Sequence, residues 1–125
     1  MGRNLVCDRA IQTMENYLKS YGLNQKLLRL DRYERSFFGY ETMEETLPGE
    51  LTLARAKMYE VRHFIMNMEN SDEKLMLYYH YIRGETVEKC AELLGIARSS
   101  GFRLKKRALL RAVKHYEKIR DAELQ

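Results

Sequence analysis

The sequence contains one proline, Pro48, no tryptophan and only two cysteines in 125 residues. It has no run of 18 or more apolar residues, so we expect no membrane-spanning helix. Because proline is nearly absent while Leu, Met, Lys, Arg and Glu are abundant, the composition favours helices. The first five residues, MGRNL, lack the apolar core of a signal peptide, and the pattern predicts a cytoplasmic protein.

Residues that usually carry catalysis or bind metals are few and scattered. Cys7 and Cys90 lie far apart, with neither a CxxC partner nor a histidine at metal-ligand spacing, so we expect no disulfide and interpret Cys90 as a small core residue. The sequence has no glycine-rich phosphate loop, nucleophile elbow or zinc motif. We therefore predict no metal site, no cofactor and no enzymatic activity.

The most informative segment spans residues 86–111. Thr86 is suited to cap a short helix, since its hydroxyl can accept a hydrogen bond from a free backbone N–H of the first turn. Gly95 stands where that helix needs a residue able to adopt positive φ, and a second, basic helix is expected from about Arg98. The first helix has an apolar stripe of Val87, Cys90, Ala91 and Leu94. This pattern predicts a helix-turn-helix, whose second helix enters the DNA major groove.

Projected at about 100° per residue, the second helix has two unlike sides. The apolar side comprises Gly101, Leu104, Ala108, Leu109, Ala112, Val113 and Tyr116. The opposite side is basic and hydroxylated. We predict that it contacts DNA bases through Ser99, Ser100, Arg103 and Arg107, and phosphates through Lys106, Arg111, Lys114 and Lys118. Arg98, at the start of the helix, is included in the predicted DNA-binding set.

Positive charge is concentrated in this helix. Residues 98–120 contain nine Lys or Arg and one acid, Glu117, a balance of +8, whereas the whole chain carries +4. A solvated charged face is the alternative interpretation, but ordinary exposed helices mix the two signs. The distribution favours a DNA binder, with an acidic protein surface or RNA as the main alternative ligands.

Residues 75–109, LMLYYHYIRGETVEKCAELLGIARSSGFRLKKRAL, resemble region 4 of the sigma-70 family. They are more similar still to the region 4-like phage regulators of the ArpU and RinA type. The shared pattern is an apolar helix ending in Tyr-Ile-x-Gly, a short helix with Cys-Ala where Ile-Ala is usual, then Leu-Gly-Ile and Lys-Arg-Ala-Leu. The resemblance covers about residues 68–118. It implies a DNA-binding transcriptional regulator encoded by a phage or prophage that contacts RNA polymerase.

Two positions depart from the family pattern. Ala97 stands where a Ser or Thr usually caps the recognition helix, so Ser99 or Ser100 could take part in capping and shift the helix start. Gly101 stands where a core residue such as Val is usual. Glycine there either lets the recognition helix approach its neighbour closely or leaves its first turn loose until DNA binds.

The remaining sequence is expected to form four further helices. Helices are predicted over residues 4–21 and 24–38, separated at Tyr21-Gly22, and an acidic loop over 39–50. A third helix over about 52–69 carries an apolar seam, which we expect the first helix of the same chain to cover; a homodimer through residues 51–68 is the alternative. The seam consists of Leu51, Ala54, Met58, Val61, Ile65 and Met68.

A fourth helix is predicted over about 72–83, with Ser71 as its N-cap. We expect its inward side to consist of Leu75, Tyr78, Tyr79 and Ile82. The tyrosine cluster Tyr78, Tyr79 and Tyr81 is more typical of a core with polar tips than of a platform on which single-stranded bases stack.

The sequence thus predicts an all-α protein. Residues 1–50 form an N-terminal helical region, and residues 51–125 form a connecting helix plus a region 4-like helix-turn-helix domain with its core at 70–120. The predicted function is sequence-specific binding of double-stranded DNA in transcription regulation. Two alternatives remain: a phage DNA-packaging protein resembling a small terminase subunit, and a protein-interaction module that uses its basic helix.

Overall fold

The computed structural model describes residues 2–38 and 48–124, with the side chains of 8–34, 36, 49 and 51–124. These residues form helices joined by short turns and contain no strand, which confirms the all-α prediction. In chain order the elements are α1 (Gly2–Phe38), α2 (Pro48–Met66), α3 (Ser71–Leu77) with a π-helical turn (Tyr78–Ile82), α4 (Val87–Leu94) and α5 (Arg98–Leu124). None of the described helices combines the length and apolarity needed to cross a membrane.

Helix α1 is continuous, so the predicted break at Tyr21-Gly22 is wrong. A glycine inside a helix costs roughly 1 kcal/mol relative to alanine. Here the helix offsets that cost, because Tyr21 and Leu28, on either side of the glycine, both line one groove with Met58 of α2. The Nδ2 of Asn24 also donates to the carbonyl of Ser20 across the same turn at 2.8 Å.

Helix α2 begins at Pro48, earlier than the predicted start near residue 52. Proline is favoured in the first turn of a helix, where its missing N–H has no partner to lose. Residues 48–50 of the predicted acidic loop therefore belong to α2, and residues 39–47 lie outside the described part of the chain. The apolar seam of α2 packs on α1 of the same chain, where Met14 and Leu18 join the cluster that contains Val61 and Ile65.

Helix α3 is capped by Asn70 rather than by Ser71. The Oδ1 of Asn70 accepts a hydrogen bond from the backbone N–H of Glu73 at 3.0 Å. The helix then widens into a π turn, closed by a bond from the N–H of Arg83 to the carbonyl of Tyr78 at 3.1 Å. The π turn shifts the inward side of α3 relative to that of the residues after it. In α3 the fully buried side chains therefore include Met76 and Leu77, which were not predicted to face inward.

The phase change also alters the predicted inward side of this helix. Ile82 is buried, and Tyr78 and Tyr79 are half-buried against the core, as expected. Leu75 is exposed, contrary to the prediction, because a stripe extrapolated at 3.6 residues per turn does not account for the wider π turn.

Two apolar clusters hold the helices together. The larger joins α1, α2, the π turn and α5, and the smaller joins α3, α4 and α5 through Met76, Val87, Cys90 and Leu104. Cys90 is buried in the second cluster, which confirms its interpretation as a core residue. Since α5 contributes to both clusters, its opposite side is held in a fixed orientation toward solvent.

Candidate nucleic-acid interface

Helices α4 and α5 are joined by a tight turn whose chemistry follows the sequence prediction. The Oγ1 of Thr86 accepts from the backbone N–H of Lys89 at 3.1 Å and caps α4. Gly95 ends α4 with φ of 71°. The N–H groups of Ile96 and Gly95 donate to the carbonyls of Ala91 and Glu92 at 2.9 and 3.1 Å, respectively. This is the Schellman arrangement, which satisfies carbonyls that would otherwise be left free at the helix end.

Gly101 allows α5 to approach α4 closely. A Cβ built on Gly101 would lie 2.8 Å from the Cβ of Ala91, nearer than two such carbons can approach. Of the two roles considered for this glycine, the close approach is the one seen. Helix α5 begins at Arg98 as predicted, and the carbonyl of Ala97 accepts the N–H of Gly101 at 2.9 Å.

The two predicted sides of α5 are separated in the structure. The buried side consists of Gly101, Leu104, Ala108, Leu109 and Ala112. Val113 is half-buried, and Tyr116 is 46% exposed, so the apolar side reaches solvent toward the C-terminal end of the helix. Of the predicted DNA-binding residues Ser100 is half-buried, and the exposed members are Arg98, Ser99, Arg103, Lys106, Arg107, Arg111, Lys114 and Lys118. These nine residues are called the basic face below.

Glu73 of α3 is the one buried charged residue within the described part of the chain, at 1% exposure. Its Oε1 lies 3.5 Å from the Nε of Arg107, and its Oε2 lies 3.3 Å from the Nε of Arg111. Arg107 and Arg111 are four residues apart and therefore project from the same side of α5. Both guanidinium groups are thus anchored by their inner nitrogen, while their side chains remain 63% and 57% exposed.

Glu73 was not among the residues predicted from the sequence. The predicted N-cap was Ser71, and the predicted inward side was Leu75, Tyr78, Tyr79 and Ile82, a phase that leaves Glu73 unassigned. With Asn70 as the cap, Glu73 occupies the third helical position, where an acidic residue is common. That spacing was present in the sequence, but the contact with two arginines more than 30 residues away depends on the packing of α3 against α5.

The other residues of the basic face differ in their local partners. Arg98 pairs with Glu88 of α4 at 3.2 Å, and the Nη2 of Arg103 lies 3.5 Å from the Oγ of Ser99. Within the described residues no acid lies in ion-pair distance of Lys106, Lys114 or Lys118. Exposed lysines without an ion pair among the described residues can bind phosphates.

Lys105 does not belong to the basic face. Its Nζ lies 3.2 Å from Oε2 of Glu15 on α1, and the hydroxyl of Tyr81 donates to the same oxygen at 2.5 Å. Burial tends to raise the pKa of Glu15, but these two bonds and the charges of Lys105 and Lys19 outweigh it and hold the pKa below its ordinary value. Burial likewise raises the pKa of Tyr81, so its hydroxyl stays protonated as a donor. Glu15 thus fixes the N-terminal helix to the π turn and to α5.

The tyrosine cluster is part of the core and its border. Tyr81 is 7% exposed, and the rings of Tyr78 and Tyr79 meet edge to face with their centroids 6.1 Å apart. A platform for stacked bases needs exposed ring faces. The arrangement fits the core interpretation of this cluster.

His80 is the central residue of the π turn. Its Nδ1 is 2.7 Å from the backbone carbonyl of Glu85, which fixes Nδ1 as the protonated ring nitrogen in the neutral form. Burial lowers the pKa of His80, and the nearby charges of Lys105 and Lys19 add to that effect, although the bond to Glu85 opposes it. The neutral side chain therefore donates the hydrogen bond that joins the π turn to Glu85.

The described residues contain no group of three or more His, Cys, Asp or Glu side chains placed to bind a metal ion. Comparisons with protein-family models, with curated proteins and with solved structures found no match to this chain.

Proposed function

We propose that this protein is a sequence-specific regulator of transcription that binds double-stranded DNA, with α4 and α5 as its helix-turn-helix. In this arrangement α5 lies in the major groove and α4 rests across it. The observation that carries the proposal is the basic face of α5. It is exposed along the helix, while the opposite side is anchored in both apolar clusters.

The turn between the helices supports this proposal because it fixes the direction of α5. The Gly95 turn and the contact of Gly101 with Ala91 leave little freedom between α4 and α5. A recognition helix needs such fixation, since its side chains must meet base edges at defined positions.

Two kinds of contact are proposed for the basic face. Ser99, Ser100, Arg103 and Arg107 contact base edges near the start of the helix. Phosphates are bound by Lys106, Arg111, Lys114 and Lys118, and Arg98 assists at the helix start. Arginine suits both tasks because its planar guanidinium can donate two bonds to guanine or to phosphate.

The resemblance of residues 68–118 to sigma region 4 and to the ArpU and RinA type of phage activator extends the proposal. It adds RNA polymerase as a protein partner and a phage or prophage operon as the target. A regulator of this kind acts at a promoter with the polymerase of its host.

Paired substitutions on α5 test the proposal. Arg103→Ala should cost about 1–3 kcal/mol at one base position of the preferred sequence and leave binding to random DNA nearly unchanged. Lys114→Ala should weaken binding to all sequences alike and lower the slope of log K against log salt by about one. Arg62→Ala, which removes one exposed charge from α2, is the matched control and should change neither quantity.

Equal losses on specific and random DNA for Arg103→Ala and Lys114→Ala would contradict the assigned roles. Salt-sensitive binding with no preferred sequence, together with assembly into a large ring, would favour a DNA-packaging protein. Absence of binding to any duplex at low salt would leave the basic face to an acidic protein partner.

A further inference from the structure

The C-terminal half of α1 extends beyond the core of the protein. The last α1 residue that packs against either apolar cluster is Tyr21, among the side chains that the structure describes. Residues 22–38 continue the helix for about 25 Å at 1.5 Å per residue. This segment packs on α2, as the shared groove of Leu28 and Met58 shows. It therefore forms, with the first part of α2, a two-helix arm.

Three leucines of the arm are exposed on one side of α1. Leu23, Leu27 and Leu30 are 66%, 40% and 55% exposed, respectively. Their spacing of four and three residues aligns them in one stripe, and at 100° per residue this stripe points away from Leu18, Tyr21 and Leu28, which face the core and α2. A single exposed leucine needs no explanation, but an aligned stripe of three is typical of a contact surface.

We propose that the leucine stripe, Leu23, Leu27 and Leu30, is the dimerisation surface of this protein, and that its occupant is the same stripe of a second copy. The spacing of four and three is that of the core positions of a two-stranded coiled coil, where one helix covers the identical stripe of its partner. Such a contact is self-complementary, as a two-fold dimer requires. A dimer of this kind does not involve the apolar seam of α2, which is covered by α1 of the same chain.

The charges beside the stripe fit two parallel copies. Lys26 borders the stripe on one side and Asp31 borders it on the other, five residues further along the helix. In a parallel coiled coil, residues with this separation meet across the interface, so Lys26 of one copy faces Asp31 of the other. Glu34 occupies the next core position and ends the apolar stripe, which keeps the interface short.

The same charges argue against a lipid surface as the occupant. A helix that lies on a membrane usually carries Lys and Arg along its polar side and large apolar residues on the other. Here Asp31 borders the stripe and Glu34 lies in line with it, so two acids stand where the helix would meet the lipid.

Sedimentation equilibrium of the full chain, without DNA, tests the proposal. The wild-type mass should rise from 14.9 kDa toward twice that value across a micromolar concentration series. The double variant Leu23→Glu/Leu27→Glu should remain monomeric at every concentration. Leu93→Glu, at a leucine of α4 that is 48% exposed, is the matched control and should dimerise like the wild type. Circular dichroism should show equal helix content in all three proteins.

A charge exchange checks the parallel orientation. Lys26→Asp should weaken dimerisation at least tenfold, and the added change Asp31→Lys should restore it.

A wild-type chain that stays monomeric to high micromolar concentration would overturn the proposal, and so would a dimer that persists in Leu23→Glu/Leu27→Glu or an assembly larger than a dimer. Because DNA takes no part in these measurements, their failure leaves the proposed DNA binding untouched, and loss of DNA binding leaves the dimer untouched.

Discussion

The Nε of Arg111 lies 3.3 Å from Oε2 of Glu73, a carboxylate that is only 1% exposed. The neighbouring Arg107 approaches the other oxygen of the same carboxylate at 3.5 Å. Since the Nε atoms face Glu73, the Nη groups of these exposed side chains remain available for the proposed contacts with DNA. The buried acid thereby limits the conformations of two arginines before any ligand arrives, which lowers the entropy that binding must overcome.

Glu73→Gln should lower the specificity of DNA binding without lowering its salt dependence. Glutamine keeps the size of the side chain but removes the charge that fixes both arginines, so the ratio of specific to random affinity should fall. The number of cations on the basic face is unchanged, so the slope of log K against log salt should stay the same. The free energy of unfolding should fall by about 1–3 kcal/mol, as expected for a weakened buried charged contact.

Glu69→Gln, at an exposed acid close in sequence, is the control for Glu73→Gln and should alter neither specificity nor stability. Unchanged specificity in Glu73→Gln, with reduced stability alone, would limit Glu73 to a structural role.

Gly101→Ala should destabilise the protein by about 1–3 kcal/mol, the range typical of an overpacked core. The added methyl would meet the Cβ of Ala91 at 2.8 Å, and that atom cannot move unless its helix moves. The higher helix propensity of alanine offsets only part of this loss. Denaturant unfolding of the single variant and of Gly101→Ala/Ala91→Gly measures the effect.

The double variant should be more stable than Gly101→Ala, because removal of the Ala91 methyl reopens the space. If the two changes add without any coupling, the close approach of α4 and α5 does not constrain position 101.

The local features of this fold were predictable because they depend on neighbouring residues. The Thr86 cap, the Gly95 turn and the start of α5 at Arg98 each follow from side-chain chemistry within one turn of helix. The separation of buried and basic sides on α5 follows from helical periodicity in the same way. The continuity of α1 through Gly22 was not predictable, since it depends on packing against α2.

The π turn and the role of Glu73 were likewise not predictable from the sequence. A helix read at 3.6 residues per turn gives no sign that Tyr78–Ile82 widens, and the changed phase alters which side chains face inward. Glu73 acquires its role only when α3 and α5 come together. The sequence therefore predicts the basic face, but not the buried acid that anchors two of its arginines.

Tyr81→Phe should lower the free energy of unfolding by about 1.5–3 kcal/mol, the range for a hydrogen bond to a charged partner. The change removes the donor to Glu15 and leaves that carboxylate with fewer partners in a site that is 17% exposed. Tyr59→Phe, at a tyrosine that is 72% exposed on α2, should have almost no effect. Urea unfolding of both variants measures the difference. Equal stability of the two would show that the hydrogen bond from Tyr81 to Glu15 contributes nothing to the stability of the protein.

His80 should make the protein less stable as the pH falls below about 6.5. Burial lowers the pKa of His80 in the folded state below its ordinary value of 6.5. Between the folded pKa and 6.5 the unfolded chain therefore binds more protons, and the free energy of unfolding falls as the pH falls. Above 6.5 the contribution is constant.

Asparagine at position 80 retains an N–H donor for the carbonyl of Glu85 but does not titrate. His80→Asn should therefore flatten the dependence of unfolding free energy on pH below about 6.5. His63→Gln, at an exposed histidine of α2, should leave that dependence as in the wild type. A wild-type slope that persists in His80→Asn would assign the pH effect to another group.

The most direct test of the proposed function is selection of DNA fragments from a random duplex library by the full chain at two salt concentrations, followed by sequencing. We expect enrichment of one sequence motif and retention that decreases steeply as salt rises, because Lys and Arg of the basic face would displace ions from phosphates. No retention at low salt, or retention without any enriched motif, would contradict it.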